Sequence, residues 1–244
     1  MTQLKRKVAV ITGGNSGIGY STAKELKDKG VQVIITGRRK EAIEKAAADL
    51  GVIGLVADQS NLKDIEQLAS EVALRFGKID ILLVNAGITQ FSTIEQMQES
   101  MFDAVMNVNL KGAYFTLSRF IPILKDGSSV ILLSSSSATV HGPMTSIYSA
   151  SKAAVNSIVK SAAIELAPRK ITVNAVSPGA VATEILSKIG MDEKMEQHIV
   201  GLIPLHRLGK AEEVARLISF LTSDDAKFIT GAEYLVDGGH AINT

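Results

Sequence analysis

The chain has 244 residues, 26 Lys and Arg against 25 Asp and Glu for a formal charge of +1, and no cysteine. That excludes disulfides, thiolate nucleophiles and thiolate-held metals together, and the scattered cations leave no electrostatic footprint for nucleic acid. The four histidines, His141, His198, His206 and His240, never fall four residues apart, so a zinc site is not expected either.

In chain order, Lys5, Arg6 and Lys7 precede an apolar stretch that stops at Thr12, far short of the roughly 7–15 residues an export signal needs. No run approaches the ~18 apolar residues of a membrane span, so no membrane partner and a cytoplasmic location are expected. Apolar strand candidates follow at 8–12, 31–36, 52–57, 80–86, 129–134, 171–177 and 234–237. They are continuous rather than alternating, which suits strands covered on both faces. Helical patterns at 20–29, 40–50, 62–76, 99–124, 147–167 and 211–221 lie between them. Gly30, Gly51, Gly77 and Gly127 stand just past predicted helices, where a left-handed residue belongs, and Pro168 closes the helix at 147–167. The alternation predicts an α/β, doubly wound parallel sheet of seven strands in a single domain, 1–244. The segment 184–208 has no clear strand and mixes Met, Ile and Leu with charges, as a substrate lid would.

Three motifs carry chemistry. Thr12–Gly19, TGGNSGIG, follows the first strand and opens a helix. Gly13 and Gly17 allow a tight turn, Gly19 lets the helix approach the sheet, and free N–H groups at Asn15, Ser16, Gly17 and Ile18 face a pyrophosphate. An ordinary glycine-rich turn is the plainer reading, and the strand-before, helix-after context argues against it. Tyr148 and Lys152 are i and i+4, neighbours on one helix face. A cation beside a phenol lowers its pKa, so the pair reads as a proton donor and acceptor; alone it would read as a buried Tyr with a solvated Lys. The run Ser134–Ser137 follows a strand, at the carboxyl edge where open α/β sheets bind ligands.

The spacing T-G-x-x-x-G-x-G, with VNAG at 84–87, NVNLKG at 107–112, YSASK at 148–152, SPGAVAT at 177–183 and ITGAEYLVDGG at 229–239, resembles the short-chain dehydrogenase/reductase family along nearly the whole chain. The resemblance implies a Rossmann-like oxidoreductase with Asn109, Ser135, Tyr148 and Lys152 as catalytic residues. Asn109 would hold a water on a helix kink. Ser135, 13 residues before Tyr148, would bind the substrate carbonyl, with Ser134 and Ser136 as rivals. Asn85, Ala86 and Gly87 would support the sheet beside the cofactor, Pro178, Gly179, Val181 and Thr183 would hold the nicotinamide carboxamide, and Thr12 and Gln59 join the cofactor contacts. Asp58 would meet the adenine, or else cap the helix beginning near Leu62. A homotetramer is the assembly that the resemblance and the long helices imply.

After the second strand an NAD-binding chain carries an acid for the ribose 2′-hydroxyl. Here Arg38 and Arg39 stand instead, suited to a 2′-phosphate. That predicts NADP(H), with NAD(H) possible, because the glycine turn itself offers only Asn15 and Ser16 where NADPH users often have a base. The expected reaction moves hydride between NADP(H) and a small-molecule ketone or secondary alcohol. The alternatives are a 3-oxoacyl-thioester reductase of the same family, a non-catalytic NADP-binding sensor or scaffold, and a cofactor-free lyase on the same scaffold. An apolar substrate pocket is expected from Val140, Met144, Ile185, Leu186, Ile189 and Leu202, with His141 nearby.

Overall fold

A computed structural model describes residues 4, 7–183 and 192–243. Its strands are β1 (Val8–Thr12), β2 (Gln32–Gly37), β3 (Ile53–Val56), β4 (Ile79–Val84), β5 (Leu124–Leu133), β6 (Thr172–Pro178), β7 (Val181–Ala182), β8 (Gly209–Lys210) and β9 (Glu233–Val236). Seven of them form one sheet in the order β3-β2-β1-β4-β5-β6-β9, every pairing parallel. β7 and β8 form a separate parallel pair. The helices are α1 (Gly17–Asp28), α2 (Lys40–Leu50), α3 (Leu62–Phe76), α4 (Glu99–Met106), α5 (Ala113–Phe120), α6 (Ser146–Leu166), α7 (Glu193–Leu202) and α8 (Ala211–Leu221).

The sheet has two apolar faces because side chains alternate along each strand. Val8 and Val10 of β1 enter a core with α3, α5 and α6, whereas Ala9 and Ile11 enter the opposite core with α1, α2 and α8. Ile11, Ile35, Ile81 and Leu83 are fully buried, each contributing about 1.5–3 kcal/mol. This is the doubly wound fold, and it fixes where a ligand sits. Strand order runs one way from β1 to β3 and the other way from β4 to β6, so the carboxyl ends of β1 and β4 open a crevice.

Two predicted boundaries move. The helix expected over 99–124 is a stack of α4, a π-helical segment Asn107–Gly112, α5 and a 3-10 turn Ile121–Ile123. Pro122 lacks the N–H that would continue a helix, so the chain turns and β5 starts at Leu124. Gly127 (φ +78°) is therefore not a helix end. It lies in the irregular stretch of β5 where Ile79 pairs with Leu124 but Ile81 pairs with Ser129. Of the lid expected at 184–208, residues 184–191, with Ile185, Leu186 and Ile189, lie outside the described residues, and the remainder carries α7.

Candidate active site

The turns after β1 and β4 are bonded to each other. The Thr12 hydroxyl accepts from the main-chain N–H of Asn85 and of Ala86, each at 3.0 Å. The Asn85 amide donates back to the carbonyls of Thr12 (2.8 Å) and Gly13 (3.0 Å). Gly13 has φ +64°, and a Cβ there would lie 2.9 Å from Ala86 Cα. Gly19 is tighter, since its Cβ would stand 2.4 Å from the Gly13 carbonyl oxygen. Beyond the turn, α1 begins after Ser16 with no side-chain cap and no acid in its first turn. Its first N–H groups and the positive end of its dipole are left for an anion.

The crevice is a cleft of about 500 Å³. It brings together Thr12, Gly13, Asn15, Ser16, Gly17 and Ile18 of the glycine turn; Arg38 and Arg39 after β2; Asp58 and Gln59 after β3; Asn85, Ala86 and Gly87 after β4; and Tyr148, Lys152 and Thr183. A dinucleotide fits this donor set: N–H groups for a pyrophosphate, two exposed guanidiniums at one end, a phenol at the other. Gly19, Asn109, Ser135, Pro178, Gly179 and Val181 are not in the walls. Gly19 and Gly179 are spacers; a Cβ on Gly179 would sit 2.7 Å from the Asp237 Cβ. Pro178 ends β6, and Val181 is buried in the core and paired with Gly209. Thr36, Gly37, Ala57, Ile88, Thr89, Val108 and Leu133 also line the cleft. Most of them end or follow strands, which is the signal that could have found them.

Asp58 does not cap α3. Its carboxylate accepts from the Ser60 N–H and hydroxyl, while Asn61 accepts from the Lys63 N–H as the cap. Asn109 lies in the π segment, 1% exposed, with its amide committed to protein. Oδ1 accepts from Ile88 N (2.8 Å), and Nδ2 donates to Ile88 O (2.9 Å) and Ser151 Oγ (3.2 Å). The side-chain amide thus braces Ile88.

At the inner end, α6 presents Tyr148 and Lys152. The Lys152 Nζ is 5.9 Å from the phenol ring centroid and donates to the Leu133 carbonyl at 2.7 Å. Gly87 leaves room beside it, since a Cβ there would lie 3.5 Å from Nζ. Burial pushes the Lys152 ammonium down to about 8. Burial also pushes the Tyr148 phenol up, with a hydrogen bond to Ser135 pulling the other way. The downward shift expected from Lys152 is absent in the protein alone: desolvation of the phenolate dominates, and the ammonium points at a backbone carbonyl. Of the rival serines, Ser134 lines the cleft and its hydroxyl donates to the Lys152 carbonyl at 3.2 Å, while the Ser135 hydroxyl oxygen accepts from the Ser137 N–H at 3.1 Å. His141 is exposed, and Met144 (47%) and Leu202 (43%) are open to solvent rather than buried in a pocket wall.

The family model described as enoyl-(acyl carrier protein) reductase matches residues 13–241. Oxidoreductase asL5 of Sarocladium schorii is 38% identical over 98% of this chain and 97% of its own. A short-chain dehydrogenase/reductase of the glucose/ribitol dehydrogenase type from Brucella melitensis superposes with a TM-score of 0.93 at 32% identity, over 98% of both chains. A 3-ketoacyl-(acyl-carrier-protein) reductase from the same organism, solved with NADH, gives 0.92 at 34% identity, over 98% of this chain and 100% of that one.

Proposed function

Because the chain belongs to the short-chain dehydrogenase/reductase family of NAD(P)-dependent oxidoreductases, we propose that it interconverts a ketone and a secondary alcohol with NADP(H), using Tyr148 as acid and base. The observation that carries the reading is a half-buried phenol one helical turn from a buried ammonium, both lining a glycine-turn cleft. The bound nicotinamide supplies or accepts hydride. Burial keeps the phenol protonated, the state from which it protonates a nascent alkoxide. Ser135 orients the carbonyl oxygen beside that proton, and Lys152 opposes the charge left on the phenolate. Asn109 keeps Ile88 in place, Thr183, carried by the 178–181 turn behind the wall, would adjoin the carboxamide, and Asp58 would adjoin the adenine. The N-terminus of α1 takes the pyrophosphate. Arg38, with Arg39 sharing the load, takes a 2′-phosphate bidentately, which favours NADP(H) over NAD(H). The enzyme works as a cytoplasmic homotetramer.

The test is oxidation of NADPH and of NADH, followed by nicotinamide absorbance, against a panel of ketones and one 3-oxoacyl thioester. Ketone reduction with the higher kcat/KM for NADPH is expected. Arg38→Asp with Arg39→Ala should shift the preference toward NADH by roughly 10- to 150-fold, mainly through cofactor KM. Binding of either cofactor without reduction of any carbonyl would overturn the reading in favour of a non-catalytic sensor. Likeness to the Brucella ketoacyl reductase favours the thioester as second substrate class.

A further inference from the structure

We infer that Gln59 is a positioning residue for this reaction, locking the π-helical segment that carries Asn109 to the turn that carries Gly87; the inference rests on the function proposed above. Gln59 is 8% exposed, follows β3 directly and lines the cleft. Its Nε2 donates to the carbonyl of Ala86 at 2.9 Å and to that of Val108 at 3.1 Å. Both amide protons are thereby spent on two segments distant from each other in sequence. Oε1 is buried without a partner. The reverse orientation of the amide would set an oxygen against two carbonyl oxygens, so the observed one is forced.

These bonds complete a ring. It runs from Gln59 to Ala86, along the chain to Ile88, across to Asn109 through that residue's two bonds, back one residue to Val108 and home to Gln59. Gly112 presses the same π segment onto residue 59, for a Cβ there would fall 2.2 Å from the Gln59 carbonyl oxygen and 2.8 Å from its Cγ. Gly87 lies inside the ring, and its open side faces the Asn109 Oδ1 and the Lys152 Nζ. Gln59 touches no reacting atom. It sets where the wall beside the ammonium stands, and a leucine would fill a similar volume without either donor. A glutamate would place only acceptors against the two carbonyls.

The test compares wild type with Gln59→Leu and Gln59→Glu. In the cofactor-free protein, amide hydrogen exchange of the 107–112 segment should speed by at least about tenfold in Gln59→Leu, the loss expected of two hydrogen bonds. In single-turnover experiments at saturating NADPH, the first-order rate constant should fall by about 10- to 100-fold, as for a small misplacement of reacting groups. Gln59→Glu should fall further. NADPH affinity by fluorescence titration should change less than about threefold. A first-order constant does not depend on how much enzyme is folded, so simple loss of folded protein would leave it unmoved. An active wild type whose Gln59→Leu constant and 107–112 exchange both stay within about twofold would overturn this inference alone. A wild type that transfers no hydride would overturn the proposed function and this inference with it.

Discussion

The Tyr148 phenol is placed where ionisation is costly: it rests protonated, and giving up the proton leaves a phenolate that Lys152 must oppose. Burial raises it and the Ser135 hydrogen bond only partly compensates. Tyr148→Phe removes the proton and little volume, so turnover should fall roughly 10²–10⁴-fold with NADPH binding retained; turnover within a few-fold of wild type would remove Tyr148 from the mechanism. Lys152 predicts a pH effect. With its ammonium held down to about 8, the free enzyme is charged there below that pH and neutral above it. kcat/KM for NADPH, which reports groups of the free enzyme, should be level below about 8 and fall about tenfold per unit above it. A level profile up to about pH 10, where an unperturbed lysine titrates, would show that burial does not hold this ammonium down. The i, i+4 spacing of Tyr148 and Lys152 is plain in the sequence, but the direction of the phenol's shift is not. It depends on what surrounds the ring, and on Lys152 reaching Leu133, which no local pattern encodes. The commitment of the Asn109 amide to Ile88 is hidden for the same reason.

Among the elements, α1 is held closely to its neighbours at the cleft. A methyl at Gly19 would meet the Gly13 carbonyl oxygen at 2.4 Å and the Asn85 amide nitrogen at 2.6 Å. Gly19→Ala should therefore cost about 1–3 kcal/mol and weaken cofactor binding, read from denaturant midpoints and fluorescence titration. Gly201→Ala is the control: it lies within α7 with open space around it, so its stability should hold or rise by up to about 1 kcal/mol. An unchanged Gly19→Ala would mean that the helix has freedom to slide. The central strands of the main sheet were legible because both faces are buried and the apolar runs are unbroken. The π segment was not, because its position depends on Gly112 meeting Gln59 across the fold. Nor was the early start of β5, which rests on a ladder to Ile79, or the pair β7–β8, two residues each and too short for any periodicity.

At the scale of the whole molecule, apolar side chains remain on the outer surface. Phe102, Tyr114 and Ile164 of α4, α5 and α6 are 43%, 52% and 76% exposed, and Phe228 is wholly so. Covering them in a closed assembly would satisfy the homotetramer proposed above. Light scattering at micromolar concentration should then return about four times the 25.9 kDa chain mass; a monomer would leave these residues without that explanation. The pair β7–β8 has a consequence of another kind. Val181 faces Gly209 and Ala182 faces Lys210, so the chain is clasped on either side of the stretch from 183 to 208. A stretch clasped at both ends behaves as a cassette. Lengthening it alters closure entropy only logarithmically, about 0.6 kcal/mol per doubling, and transmits no register change to the sheet.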